Sequence, residues 1–172
     1  GSVDVTKIFS TGSAFAALRV DGSVVTWGLI DVPGLLNSSV GVTHIYSTIG
    51  AVFIYGAFAA LRTDGSVITW GDVSAGGDSS GVANKLDGTV DVIQIYTTDS
   101  AFAALRADGS VVTWGHPGTG GDSSSVANQL GSGVVSLADI YTDDVFSATT
   151  DPSLLLTADV LFQLEGVTGG DE

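Results

Sequence analysis

The sequence predicts an all-β protein made of repeated three-stranded units, and three observations lead to this prediction. Three segments nearly copy one another: SAFAALRVDGSVVTWG at 13–28, GAFAALRTDGSVITWG at 56–71 and SAFAALRADGSVVTWG at 100–115. The acidic residues are 17 Asp and only two Glu, beside 24 Gly, and Asp and Gly favour turns over helices. The runs between the turns are rich in Val, Ile and Thr, which suit strands.

Each unit begins with a strand-like lead-in: VTKIFST at 5–11, VTHIYST at 42–48 and VIQIYTT at 92–98. The runs AFAALR and SVVTW then flank Asp-Gly, a dipeptide that accepts positive φ and closes a tight hairpin. The Trp residues that end the third strand are 43 and 44 residues apart, so one unit spans about 43 residues. They are Trp27, Trp70 and Trp114.

The connections between units predict short helices. The segments GGDSSGVANKL (76–86) and GGDSSSVANQL (120–130) each fit about two helical turns, with Asp78 and Asp122, or the Ser after each, as N-caps. Two pairs of residues four apart would face the sheet together: Val82 with Leu86, and Val126 with Leu130.

A fourth unit is recognisable in degenerate form. Ile140-Tyr141-Thr142 repeats the lead-in and Phe146 follows Phe102 by 44 residues, but Asp151-Pro152-Ser153 replaces the Asp-Gly-Ser turn and the Trp-Gly pair is missing. We therefore expect a single repeat domain over 1–172. Its approximate repeats are 3–40, 41–88, 89–133 and 134–172.

Two units depart from the common pattern. Repeat one replaces the capped helix by LIDVPGLLNSSV at 29–40, and repeat two inserts an apolar run into the turn after its lead-in. The insertion includes Val52, Phe53, Ile54 and Tyr55. It predicts an intermolecular or inter-domain contact, because exposed apolar surface usually marks an interaction site. The equal alternative is that the insertion fills the volume left by the missing helix.

The chain end carries a further strand-like run, Val160-Leu161-Phe162-Gln163-Leu164, without counterpart in the other repeats. Terminal repeats need a cap or a partner. We expect this run, with Val160, Leu161 and Phe162 as interface residues, to complete a sheet with the lead-in at 3–9. The pairing could close a four-bladed ring within one chain or join neighbouring chains, and the second arrangement is favoured by the high apolar fraction.

Composition excludes several classes of protein. Five Lys and Arg against 19 acidic residues give a net charge of −14, which argues against nucleic-acid binding. The chain has no Cys, so a disulfide framework and cysteine-ligated metals are excluded. No run of about 18 apolar residues is present, which argues against a membrane span.

The repeat resembles those of the regulator-of-chromosome-condensation family of β-propellers. The residues that carry the resemblance are FAALRADGSVVTWG and the following GTGGDSS, and the match is best with a bacterial exported variety that has GSVVTWG and GGDSS motifs. The resemblance implies four propeller-like blades of about 43 residues, the fourth degenerate, in a protein located outside the cell or on its surface. The family's exchange-factor activity finds no support in this acidic chain.

Candidate site residues each have two interpretations. The three Trp are expected to form the repeat core between blades, with an aromatic ligand ring as the alternative. Asp78 and Asp122 are expected caps, with Ca²⁺ binding as the alternative, and the cluster of Asp143, Asp144 and Asp151 raises the same question.

The remaining polar candidates are expected to be structural. Arg19, Arg62 and Arg106 are expected on a solvated strand face near the turn aspartates. His44 and His116 occupy non-equivalent places, which argues against a general base, and no catalytic motif is present.

These patterns predict a non-catalytic protein with no cofactor. The favoured function is an extracellular structural or adhesive module that self-associates, as a homo-oligomer, or joins neighbouring repeats of a larger protein. The alternative is a propeller that binds a glycan or a peptide on its loop face.

Overall fold

The computed structural model describes residues 4–30, 40–50 and 55–134. The chain divides into two compact units, Gly1–Val135 and Ser136–Glu172. All the described residues belong to the first unit. The degenerate fourth repeat, with its lead-in, its terminal strand-like run and its aspartate cluster, lies outside them.

The first unit contains three antiparallel three-stranded sheets, one for each complete repeat, and we call them blades 1 to 3. The prediction of an all-β protein with repeated propeller-like blades is confirmed. Within a blade the strands follow one another in sequence order across the sheet. The strands are β1 (Val5–Ser10), β2 (Ala14–Arg19) and β3 (Val24–Gly28) in blade 1, β4 (Val42–Ser47), β5 (Ala57–Arg62) and β6 (Val67–Gly71) in blade 2, and β7 (Val92–Thr97), β8 (Ala101–Arg106) and β9 (Val111–Gly115) in blade 3.

The three blades share one register. In blade 1, Phe15 lies opposite Trp27 and Ala17 lies opposite Val25, and the corresponding pairs recur in the other two blades. Each lead-in strand has an irregularity after its first residue, as between Val5 and Lys7. Because opposed residues project to the same side of a sheet, this register fixes which side chains share a face.

Short 3₁₀ turns follow blades 2 and 3. Val73–Ala75 and Pro117–Thr119 lie outside the two segments predicted to be helical, whereas Ser80–Lys85 and Ser124–Val126 lie within those segments. Asp78 Oδ1 accepts a hydrogen bond from the Ser80 amide at 2.8 Å, and Asp122 Oδ1 accepts one from Ser124 at 2.9 Å. The aspartates therefore cap these turns, whereas the cap-position serines make no side-chain capping bond.

The same connections protect the outer edge strands. The Val67 amide donates to the Leu86 carbonyl at 2.9 Å in blade 2, and the Val111 amide donates to Leu130 at 2.8 Å in blade 3. Unpaired edge amides are templates for unwanted strand pairing, and each connector occupies the first amide of the outer strand that precedes it. Leu86 is buried and Val82 is half-buried against the core after blade 2, whereas after blade 3 Leu130 is only half-buried and Val126 is exposed.

The hairpin of blade 2 accommodates the insertion without losing its closure. The Thr48 amide donates to the Ala57 carbonyl at 2.9 Å, as Thr11 does to Ala14 and Thr98 to Ala101 in the tight turns. Tyr55, the last residue of the insertion, is exposed, as is Ile49, which precedes the insertion. Val52, Phe53 and Ile54 lie outside the described residues.

Candidate functional site

The candidate site is the set of faces through which the blades contact each other. Each blade has two sides, and we call one of them its leading face. This side carries the isoleucine of the lead-in strand and the Phe–Trp pair, together with one alanine of the second strand and one β-branched residue of the third strand. In blade 1 the leading face consists of Ile8, Phe15, Ala17, Val25 and Trp27. Its counterparts are Ile45, Phe58, Ala60, Ile68 and Trp70 in blade 2, and Ile95, Phe102, Ala104, Val112 and Trp114 in blade 3.

The opposite side of each blade is its trailing face. It presents small and aliphatic side chains, and in blade 1 these are Ala14, Ala16, Leu18 and Val24. The leading face of blade 2 packs on this surface in one core cluster. The leading face of blade 3 packs on the trailing face of blade 2 in a second cluster. In the described part of the chain, leading faces therefore pack on trailing faces in both interfaces.

The leading face of blade 1 is exposed, although it carries the same kinds of side chain as the buried leading faces of blades 2 and 3. Trp27 is 46 % exposed, against 4 % for Trp70 and 5 % for Trp114. Phe15 is 44 % exposed, against 0 % for Phe58 and 1 % for Phe102. Trp70 and Trp114 thus lie buried between neighbouring blades. Trp27 is exposed because no described residue supplies a preceding blade to cover it.

The interface of blades 2 and 3 includes a specific polar contact. Trp114 Nε1 donates a hydrogen bond to the Gly76 carbonyl at 3.1 Å. Gly76 has φ 96°, and a Cβ added there would lie 2.6 Å from Phe102 Cδ2, so the Phe102 ring is seated directly against this glycine. Glycine is therefore required both for the left-handed conformation and for the approach of the ring.

Blade 3 has the matching surface on its own trailing face. A cavity of about 70 Å³, which we call the notch, is lined by Tyr96, Ala101, Ala103, Thr119 and Gly120. Gly120 has φ 105° and corresponds to Gly76. Thr98 Oγ1 bonds to the Thr119 carbonyl at 2.9 Å, as Thr48 Oγ1 bonds to Ala75 at 3.0 Å. The frame that receives Phe102 on blade 2 is therefore reproduced on blade 3.

The Asp-Gly turns link each blade to the next lead-in. The Val42 amide donates to the Gly22 carbonyl at 2.9 Å, and Val92 donates to Gly65 at 2.9 Å. Val134, the last described residue, donates to Gly109 at 3.0 Å in the same way. The chain thus leaves blade 3 as it leaves blades 1 and 2.

The arginines before these turns are not on a solvated face, which corrects the sequence prediction. The side chains of Arg62 and Arg106 are only 16 % and 14 % exposed. Arg106 Nη1 donates to Ser110 Oγ at 3.1 Å, and Ser110 Oγ donates to Asp108 Oδ1 at 2.6 Å. Each guanidinium folds over its own Asp-Gly-Ser turn, so it serves the hairpin and is largely withdrawn from solvent.

The turn aspartates are held in their ionised form. Hydrogen bonds from Ser23, Ser66 and Ser110, each through the side chain and the backbone, lower the pKa of Asp21, Asp64 and Asp108. The arginine two residues earlier adds a smaller lowering of the same pKa values. The same local bonding pattern therefore recurs in all three blades.

The histidines have structural contacts. His116 Nδ1 accepts a hydrogen bond from the Gly118 amide at 3.1 Å, which is the capping role that Asp72 performs for Ser74 after blade 2. The His44 ring lies between Phe9, at 5.7 Å, and Tyr46, at 4.8 Å. Burial, with a smaller contribution from Lys7, lowers the pKa of His44.

A groove of about 350 Å³ runs along the outer edge of blade 3 and is lined in part by Lys85, Arg106, Ser110, Thr113 and Ser123. Arg106 Nε is buried there with no hydrogen-bond partner among the described residues. Within 4–30, 40–50 and 55–134, no group of three or more metal-ligating side chains comes together. No helix in this part of the chain is long and apolar enough to cross a membrane.

Comparison with known proteins gives likenesses of fold only. No family model and no curated protein sequence matches the chain. The chain is similar to the CRINKLY WD40 ectodomain of the Arabidopsis thaliana receptor kinase ACR4, with 16 % identity and a TM-score of 0.45, over 66 % of this chain and 37 % of that one. It is similar to the ectodomain of the Physcomitrella patens receptor kinase CR4, with 14 % identity and a TM-score of 0.49, over 76 % and 34 %.

Human WBSCR16 is a third similar structure, with 20 % identity and a TM-score of 0.39, over 66 % of this chain and 34 % of that one. The chain spans about a third of the length of these three proteins. At these identities and TM-scores the assignment of propeller-like blades rests on the repeated sheets themselves, their common register and their face-to-face packing.

Proposed function

We propose that the protein is a non-catalytic structural repeat module that works by association through its blade faces. The observation that carries the proposal is the exposed leading face of blade 1. Monomeric proteins rarely expose contiguous apolar surface without an interaction partner. The Phe15–Trp27 pair, with Ile8 and Val25 beside it, forms such a surface. The Phe–Trp pairs at the corresponding positions of blades 2 and 3 are buried in the interfaces with the preceding blades.

The setting proposed for this module is outside the cell or on its surface, in an assembly of copies or of neighbouring repeats. The acidic, Asp-rich and Cys-free composition is common in large exported bacterial proteins and supports this setting. The repeat motif supports membership of the regulator-of-chromosome-condensation type, with one repeat domain over 1–172. The interface residues proposed from the sequence, Val52–Phe53–Ile54–Tyr55 and Val160–Leu161–Phe162, belong to the same proposal, and Tyr55 is exposed.

The test is the assembly state of the full chain. Sedimentation velocity over a hundredfold range of protein concentration, with negative-stain microscopy of the same samples, should show defined oligomers, rings or filaments that dissociate on dilution. A single monomeric species at every concentration would contradict self-association.

A binding module is the second candidate, and the groove along blade 3 favours it. Lys85 would donate to oxygen acceptors of a glycan or a peptide, and Ser110, Thr113 and Ser123 add hydroxyls along the same wall. A glycan and peptide array probed with the full chain tests this candidate. If the protein stays monomeric and binds one ligand selectively, and if Lys85→Ala abolishes that binding, the binding module is favoured over the self-associating structural module.

A further inference from the structure

We infer that the groove along blade 3 binds an extended, acidic peptide as an additional strand on the open edge of β9. The inference rests on the second candidate function, the binding module, and it gives that module a ligand class and a mode of binding. It does not depend on self-association through blade 1. The edge of β9, the two connectors beside it and the charge of Lys85 support it.

The floor of the groove is the outer edge of β9. In an antiparallel pair, successive residues point their N–H and C=O alternately towards the partner strand and away from it. The Val111 amide points away from β8, because it donates to the Leu130 carbonyl at 2.8 Å. Thr113 is two residues further along β9, so its N–H and C=O point the same way, and neither makes a hydrogen bond to a described residue. This edge can therefore pair with one residue of an added antiparallel strand.

Two connectors form the walls on the two sides of this edge. Val82 in the connector after blade 2 packs in the same core cluster as Val112, which points to the leading face. Thr113 points to the other face, where its Oγ1 bonds to Ser123 Oγ of the connector after blade 3 at 2.8 Å. Both walls are thus fixed before a ligand arrives, which lowers the entropic cost of binding.

The groove is open to a ligand. Every residue that lines it belongs to the described part of the chain. Lys85, Ala127 and Gly131 on its walls are exposed, and Val111 and Thr113 on its floor are half-buried. Its volume of about 350 Å³ suits a short segment of extended peptide.

The charges in the groove favour an acidic peptide. Arg106 and Asp108 neutralise each other, with Nη1 and Oδ2 3.4 Å apart. Lys85 forms no ion pair with a described residue, so its exposed ammonium is available to a carboxylate. Gln129 takes the place of Lys85 in the connector after blade 3, and among the described connectors Lys85 is the one Lys or Arg.

The probes for the experiment are fluorescent, capped pentapeptides of valine and threonine in which one aspartate occupies each position in turn. Anisotropy measures their binding to the full chain at an ionic strength of about 0.15 M, where repulsion from the other carboxylates is screened beyond about 8 Å. Lys85→Gln removes the charge from the wall. Gln129→Ala is the matched control, since Gln129 is exposed and does not line the groove. Circular dichroism establishes that both variants fold.

We expect Lys85→Gln to weaken binding of the best peptide by roughly 3- to 5-fold, as loss of a solvated ion pair does. Replacing the aspartate of the peptide by asparagine should have the same effect, and the two changes together should cause no further loss, because they remove one interaction. Gln129→Ala should bind as the unmodified chain does.

The main-chain pairing is tested by changing the peptide, which leaves the protein unmodified. Alternate N–H groups of an extended peptide point to the same edge. Two versions of the best peptide carry N-methyl groups, one on the odd residues and the other on the even residues. One version should lose roughly tenfold or more in affinity, because only one set of N–H groups faces Thr113, while the other version binds nearly as the parent does. Hydrogen exchange of the Thr113 amide should slow in the complex.

Four results would overturn the inference. Equal losses for the two methylated versions would show that the peptide does not bind as a strand. Equal binding by Lys85→Gln and the unmodified chain would place the peptide on another surface. Selective binding of a glycan that depends on Lys85, without peptide binding, would leave the binding module intact. Absence of binding by peptides and glycans alike would overturn the binding module as well, while self-association, measured separately, would still support the structural module.

Discussion

Blade 1 and blade 3 carry the same kinds of side chain on their leading faces, but one face is exposed and the other is buried. The aromatic pairs are stacked almost identically in the two blades. The arrangement of the rings is therefore a property of each hairpin, while their burial is a property of the neighbouring blade. This difference separates what a repeat does alone from what it does in an array.

The largest expected effect follows from removing the same ring in the two settings. Phe102→Ala should lower the free energy of unfolding by about 3–5 kcal/mol, because a ring deleted from a buried interface leaves a cavity. Phe15→Ala should cost less than about 1 kcal/mol in the monomer, because its ring is already partly in water. Urea denaturation at a protein concentration below that of any association measures both. Equal losses would show that the blade 1 face is also covered within a single chain.

A second comparison concerns the turns that lead into the next blade. Gly65 has φ 72°, and a Cβ added there would lie 2.7 Å from Asp91 Cα. Gly22 has φ 76°, and its added Cβ would lie 2.8 Å from Gly41 Cα. Gly65→Ala and Gly22→Ala should therefore cost similar amounts, roughly 1–3 kcal/mol each, through backbone strain and displacement of the next lead-in.

The matched control for these glycines is Gly81→Ala, since an added Cβ meets no atom within 4 Å at Gly81. Thermal melting should show little change in the control. A small effect at Gly22 alone would mean that the lead-in of blade 2 can shift at the interface of blades 1 and 2, whereas the lead-in of blade 3 cannot shift at the interface of blades 2 and 3.

The local features were predictable from sequence because each depends on a few adjacent residues. The Asp-Gly turns, the strands around them and the capping aspartates Asp78 and Asp122 follow from backbone preferences and short-range hydrogen bonds. The burial of each face could not be predicted in this way. The string AFAALR is the same in β2, β5 and β8, yet its Phe is exposed in the first and buried in the other two.

The arginine environment was missed for a related reason. A charged residue before a turn is usually solvated, and the sequence does not show that Ser110 Oγ accepts from Arg106 while it donates to Asp108. The fixed spacing of Arg, Asp and Ser in all three repeats was the available signal. The Gly120 notch had no such signal, because it requires the packing of Phe102 against Gly76 to be known first.

The smallest expected effect tests whether the Asp-Gly-Ser turn is independent of the neighbouring blades. Serine hydrogen bonds lower the pKa of Asp21 in blade 1 and of Asp108 in blade 3, so each folded-state pKa lies below the usual 3.8. A carboxyl with a depressed folded pKa stabilises the protein at pH values above its unfolded pKa, and this contribution is lost as the pH falls through the folded pKa.

Asp21→Asn and Asp108→Asn should each lower the melting temperature slightly at pH 6. The difference from the unmodified chain should shrink as the pH falls below 3.8 and disappear below the folded-state pKa. Both carboxylates are exposed and their partners lie within the same turn, so the two variants should show the same small decrease although their blades differ in burial. A clearly larger decrease for Asp108→Asn would show that the turn gains stability from the neighbouring blade, and the separation between local arrangement and neighbour-dependent burial would then fail at this position.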